Sequence, residues 1–336
     1  MIWRWIAGAL VVTAGVAAGA VFFGMKQLEP IYPDSSPAPQ IFEVERGRGL
    51  GQVARALERA NLIRDARAMI LLARWRGDEG RLMVGEYELS AGWSTRTILD
   101  RLISGRVVTY EVVLPEGIRA SEVALRLEAA GLADAEEFLA VTRDAEFTRS
   151  LGIEADGLEG FLYPETYRLP RKLAAQEIAK IFVAQFDQIW NEIDPNIRDQ
   201  SMSRLEIVTL ASIVEKETAA PEERPLIAAV FHNRLRLGMR LETDPTVIYG
   251  IPDFDGNITR SHLRDRSNTY NTYKIRGLPP GPIANPGVDA LLAVLQPAES
   301  DFLYFVSRND GTHHFSKTYR EHTNAVRRYQ LRRRKR

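Results

Sequence analysis

The sequence predicts an α+β protein carried on an N-terminal transmembrane helix, with a small β-α module after the helix and a larger mixed α+β domain after that. Three observations predict it. Residues 6–25 carry no charged side chain, a strand-turn-helix pattern occurs twice within the first 140 residues, and from Leu205 onward the apolar positions recur at helical spacing. The 336 residues, 45% hydrophobic and 26% charged, suffice for about two domains, which sets aside a disordered or fibrous chain. Equal numbers of basic and acidic residues, 44 each, remove the positive balance that nucleic-acid binding exploits. With no cysteine there is no disulfide framework, no thiolate metal site and no thiol nucleophile.

Taken in order, residues 6–25 lie between Arg4 and Lys26 and would rise about 30 Å as a helix, the thickness of a bilayer's hydrocarbon core. Trp3, Trp5, Phe22 and Phe23 stand where interfacial aromatics belong. Ala18-Gly19-Ala20 has the small-residue pattern of a signal cleavage site, but the apolar run is long for a signal peptide. Residues 1–27 therefore read as a retained anchor with its N-terminus in the cytoplasm and the rest of the chain outside. Residues 28–40, with Pro30, Pro33, Pro37 and Pro39, read as an extended spacer.

Residues 41–108 form the small module. Phe42, Val44, Gly47, Val53, Ala54, Leu57 and Leu62 return as Tyr110, Val112, Gly117, Val123, Ala124, Leu127 and Leu132, so residues 109–140 repeat a strand, a glycine turn and an amphipathic helix. Between the copies lie a strand at Gly85–Leu89 and a helix from Thr95 capped by Ser94, giving a βααβα layout. This pattern resembles the LysM carbohydrate-binding module. The same apolar spacing also suits a packed platform without a ligand.

Residues 109–326 form the larger domain and 327–336 a basic tail. Ile207, Leu210, Ala211 and Val214 share one face, which predicts a half-buried helix from Leu205 to about Thr218, stopped by Pro221. Glu215 and Glu217 near its end are about 200° apart around the axis, so they cannot share a pocket, and periodicity does not choose between them. A carboxyl at a helix C-terminus, if desolvated, gains the raised pKa that a general acid needs near neutrality. Asp244, Tyr249, Tyr270, Asn271 and Tyr273 are candidate cleft-lining residues, since they offer flat faces and hydrogen-bonding groups. The five histidines, His232, His262, His313, His314 and His322, show no ligand spacing, and there is no G-x-S-x-G elbow, so no metal and no serine triad are expected.

The run from Leu205 through EKET at 215–218, with LEGFLYPETY at 158–167, DPTVIYG at 244–250, YNTY at 270–273 and GLPPGPI at 277–283, closely resembles the YceG-like (MltG) family of endolytic murein transglycosylases. The resemblance spans essentially the whole chain. It implies non-hydrolytic cleavage of the MurNAc-GlcNAc bond of nascent peptidoglycan strands, leaving 1,6-anhydro ends, by one catalytic glutamate and without a cofactor. Carried over, that glutamate is Glu217, with Glu215 the fallback. The resemblance further implies an enzyme of the bacterial inner membrane, facing the periplasm, that ends glycan elongation beside peptidoglycan synthases (penicillin-binding proteins). A membrane-anchored peptidoglycan-binding or scaffold protein without catalysis is the competing expectation.

Overall fold

The computed structural model describes residues 19, 22–35, 37–193, 201–217 and 220–331. The chain is mixed α+β and divides into two compact units, Met1–Tyr110 with Pro170–Lys172, and Glu111–Leu169 with Leu173–Arg336. Most of residues 6–25 lies outside the described residues. Among those described, no helix is long and apolar enough to cross a membrane.

In the first unit β1 (Gln40–Val44) pairs antiparallel with β2 (Gly85–Leu89), Phe42 opposite Tyr87. Helices α1 (Leu50–Arg59), α2 (Ala66–Arg76) and α3 (Thr95–Ser104) complete the βααβα order. Val53, Leu57, Met69, Leu99 and Leu102 are fully enclosed around Tyr87. The Tyr87 hydroxyl donates to the carbonyls of Met83 (2.8 Å) and Leu102 (3.2 Å), and burial pushes its pKa up to about 12. Ser94 caps α3 by accepting from the Thr97 N–H, and Gly105 ends it in the left-handed region at φ 66°.

Residues expected as an extended spacer hydrogen-bond along this unit. The N–H groups of Ile31 and Tyr32 donate to Ala91 O, the Arg64 guanidinium donates to Pro30 O and Ile31 O, and Ser90 Oγ donates to Pro37 O. Proline removes donors from residues 28–40 but leaves their carbonyls free to accept, and Arg64 and Ser90 use them.

The second copy of the repeat folds as the first does. In the second unit β3 (Tyr110–Val113) leads to α4 (Ala120–Ala129) and α5 (Ala135–Thr142). Gln52 returns its side chain to the Gly49 N–H, as Glu122 does to the Arg119 N–H. The turns after α1 and α4 use Asn61 (φ 53°) and Gly131 (φ 66°), residue types that tolerate the left-handed region. Glu58 and Glu128 each accept from the first N–H of the next helix, at Ala66 and Ala135.

Beyond the repeat come α6 (Ala145–Ser150), β4 (Thr166–Leu169, paired with β3), α7 (Ala175–Glu192), α8 (Arg204–Glu217) and α9 (Arg224–Arg236). They are followed by α10 (Asp244–Tyr249), α11 (Val288–Leu295), the hairpin β5–β6 (Tyr304–Ser307 and His313–Ser316) and α12 (Tyr319–Val326). Residues 327–331 continue in helical turns, and the remainder of the basic tail lies outside the described residues.

Helix α8 departs from the half-buried expectation. Ile207, Val208, Thr209, Leu210, Ala211, Ser212, Ile213 and Val214 are all buried, because α9, α10 and α11 pack around it. Its buried Ser212 is satisfied: Oγ donates to Thr209 O (2.7 Å) and accepts from the Ile283 N–H (3.0 Å). A helix enclosed on this scale is a rigid mount for whatever stands at its end.

Candidate active site

Glu215 and Glu217 leave the end of α8 in different directions, and their surroundings give them different capacities. Glu215 is locked in place. Its Oε1 accepts from Arg224 Nη2 (2.8 Å) and its Oε2 from the Gly287 N–H (3.1 Å), and both side chains of the ion pair are under 10% exposed. Glu116 and Asp289 also reach Arg224, each at 3.4 Å. Both oxygens of Glu215 are thus committed to holding α8, α9 and the start of α11 together.

Glu217 faces a cleft of about 460 Å³. The walls come from residues 241–244, Tyr273, the β5–β6 hairpin and α12. Thr243 Oγ1 donates to Glu217 Oε1, and Thr243 is itself fixed: its N–H donates to Thr272 Oγ1 (3.1 Å) and its carbonyl accepts from Thr246 Oγ1 (2.8 Å). Arg234, from α9, donates to the carbonyls of Leu303, Arg240 and Leu241, which ties the cleft's walls to the helix.

The electrostatics suit proton donation. Burial pushes the Glu217 pKa up to about 7, and the nearby Asp244 charge adds to the effect, while the Thr243 hydrogen bond, His313 and Arg234 offset part of it. Asp244 Oδ1 accepts from the Tyr273 hydroxyl (2.8 Å), whose own pKa rises well above its usual value through burial and that bond. His313 lines the same cleft. Both oxygens of Glu223 hold it, one accepting from the His313 N–H (2.9 Å) and the other 2.7 Å from Nδ1, with the Phe305 ring edge-on at 5.4 Å.

The raised pKa makes stability depend on pH. The folded chain holds a proton on Glu217 up to about pH 7, whereas the unfolded chain releases it near 4.5, so stability declines as pH rises between those values. Glu217→Gln has no such loss. Its thermal midpoint is expected to exceed the parent's at pH 8 and to match it near pH 4.5, in parallel melts across that range.

Of the five expected cleft-lining residues, Asp244 and Tyr273 stand with Glu217. Tyr249 and Tyr270 do not: they line a second cleft of about 400 Å³ together with Glu159 and the Pro280-Gly281-Pro282 turn. Asn271 is not a cleft-lining residue. It is fully buried, its Nδ2 donates to His262 O and Asp265 O, and its Oδ1 accepts from the Tyr273 N–H, so its amide is spent on the loop that places Tyr273. Among the described residues no three His, Asp or Glu side chains converge as a metal ligand set.

Thr243, Arg234 and the Glu223–His313 pair were not singled out by sequence reasoning. Thr243 directly precedes the DPTVIYG motif and could have been found by asking what fixes the Glu217 carboxyl. Glu223 and His313 are 90 residues apart, and no local signal joins them.

Comparison with known proteins places the chain in a family. Residues 42–328 match the YceG-like family, and the chain belongs to it. A Bacillus subtilis relative named endolytic murein transglycosylase is 29% identical over 94% of this chain and 91% of its own length. A Streptococcus pneumoniae protein of the same name is 27% identical over 94% of this chain, which spans 63% of that relative. A crystal structure of a YceG-like protein from Listeria monocytogenes superposes with a TM-score of 0.60 at 32% identity, covering 87% of this chain and all of that one.

Proposed function

We propose that this chain is an endolytic murein transglycosylase in which Glu217 serves in turn as acid and base. The observation that carries the residue assignment is a desolvated carboxyl, with a pKa of about 7, on the wall of a cleft and oriented by Thr243. Near neutrality both of its protonation states are accessible. Protonated Glu217 donates to the glycosidic oxygen as the MurNAc C1–O bond breaks through an oxocarbenium-like state. The resulting carboxylate then takes the proton of the same sugar's 6-hydroxyl, whose oxygen closes on C1. One proton leaves Glu217 and one returns, no water is consumed, and the product is a 1,6-anhydro end.

Mass spectrometry of muropeptides released from peptidoglycan sacculi tests this. Anhydro ends, lighter than reducing ends by one water and absent with Glu217→Gln, support it. Reducing ends point instead to hydrolysis assisted by a second carboxylate, for which Asp244 is the neighbour at hand.

Thr243 offers a graded test. Its hydrogen bond holds the Glu217 pKa down, so Thr243→Val, close in shape and lacking the hydroxyl, raises it further. The alkaline limb of the pH–kcat profile is expected to move upward while kcat falls about tenfold or more through lost orientation.

The anchor, the LysM-like glycan grip of the first unit and residence in the bacterial inner membrane, beside the synthases that make the strands, belong to the same proposal. The hydrogen bonds of Pro30, Ile31, Tyr32 and Pro37 to the first unit support it: they shorten the free chain between residue 25 and that unit, which would keep the unit near the bilayer surface. Deletion of residues 1–27, with export of the remainder, is expected to leave strand lengths abnormal in a strain lacking the full protein.

A further inference from the structure

The second cleft is distinct from the one that holds Glu217, yet α10 joins them. Asp244, at the start of that helix, lines the Glu217 cleft, and Tyr249, at its end, lines the other. Five residues of helix put these positions about 7.5 Å apart along the axis. The C-terminal turn of α8 adds a second link, since Lys216 Nζ donates to Gly117 O (3.2 Å), two residues before Arg119.

The lining of this cleft has the chemistry of an anion site. Arg119 and Arg143 both face it, and among the described residues neither forms an ion pair. Arg224, Arg204 and Arg76, by contrast, each meet a carboxylate. The acidic members of the lining are Asp156, which is exposed, and Glu159. Glu159 accepts from the Ala120 N–H (3.0 Å), Asn285 Nδ2 (3.2 Å) and the Tyr249 hydroxyl (3.2 Å). Burial raises its pKa to about 7, while the Ala120 and Tyr249 hydrogen bonds and the Arg119 charge offset part of the rise, so near neutrality Glu159 is partly protonated and opposes an anion less than a free carboxylate would.

A sugar ring is a poorer fit. The Tyr249 ring has the Arg119 guanidinium over it at 5.3 Å and packs against Tyr270 at 4.7 Å, so the two rings are engaged with each other and with Arg119. What remains available is a pair of guanidinium groups suited to a carboxylate.

We propose that this cleft binds the carboxylate-bearing peptide branch of the strand being cut, with Arg119 and Arg143 holding the carboxylate. The assignment rests on the proposed murein transglycosylase activity. It makes the cleft a reader of whether a strand still carries its peptides, and so a determinant of which strands are cut.

The test compares two substrates on the purified full chain: glycan strands bearing their peptides, and the same strands stripped by an amidase. The parent protein is expected to show a kcat/KM about tenfold higher on the peptide-bearing strands, the size of one good charge-assisted contact. In Arg119→Gln/Arg143→Gln the ratio between substrates is expected to fall to about one, through KM. Arg143 is exposed and Arg143→Gln alone is expected to fold normally and lower the ratio about threefold, which guards against a double variant that fails to fold. A parent ratio of one, or a ratio in Arg143→Gln equal to the parent's, overturns the peptide site while leaving the transglycosylase reading standing. Cleavage of neither substrate by the parent overturns both.

Discussion

Glu217→Gln is expected to lower strand cleavage by at least about a thousandfold while leaving the fold intact. General acid or base catalysis alone contributes about 10²–10⁴-fold, and here one carboxyl serves both steps, so the amide loses both. The substitution is nearly isosteric, and Thr243 Oγ1 can still donate to the amide oxygen in place of Oε1. Quantifying anhydro-muropeptides over time, beside a circular dichroism melt, checks it: a variant that keeps more than about a tenth of the parent rate would remove Glu217 from the mechanism.

Glu215→Ala is expected to do the reverse, costing stability before chemistry. It strands the buried Arg224 guanidinium and leaves the Gly287 N–H without its acceptor. Removing one partner of a buried pair costs about 3–5 kcal/mol. Glu116 and Asp289, each 3.4 Å from Arg224, supply partial compensation and favour the lower end. With a urea dependence of about 1–3 kcal/mol per molar, the midpoint should fall by about 1–3 M. An unchanged midpoint together with lost cleavage would transfer the catalytic role to Glu215.

Much of the fold was legible in the residues. The strand at Gly85–Leu89, the helix capped by Ser94 and the end of α8 near residue 217 follow from local signals: alternation, a capping hydroxyl and a proline four residues beyond Glu217. The repeat was legible because each copy needs the same apolar spacing to bury its helix on its strand. The full enclosure of α8 was not, since Thr209 and Ser212 look like a solvent face until Ile283 supplies a donor to Ser212. Nor was the fate of Pro30, Ile31, Tyr32 and Pro37, in a segment whose proline content signals an extended path without saying what it lies against.

The sequence by itself determined that two carboxylates stand at the end of one helix, on opposite sides, and that a glycan-cutting family's motifs surround them. The first follows from helix geometry, which is local, and the second from the resemblance of the motifs to the YceG-like family. Only the tertiary structure decided which glutamate meets a cleft. The decision depends on Arg224 and Gly287 on one side and on Thr243, Asp244 and His313 on the other. Arg224 and Gly287 lie 9 and 72 residues from Glu215 along the chain, and Thr243 lies 26 from Glu217. A pKa is set by the neighbours that folding brings within reach, and no spacing within one helix records them.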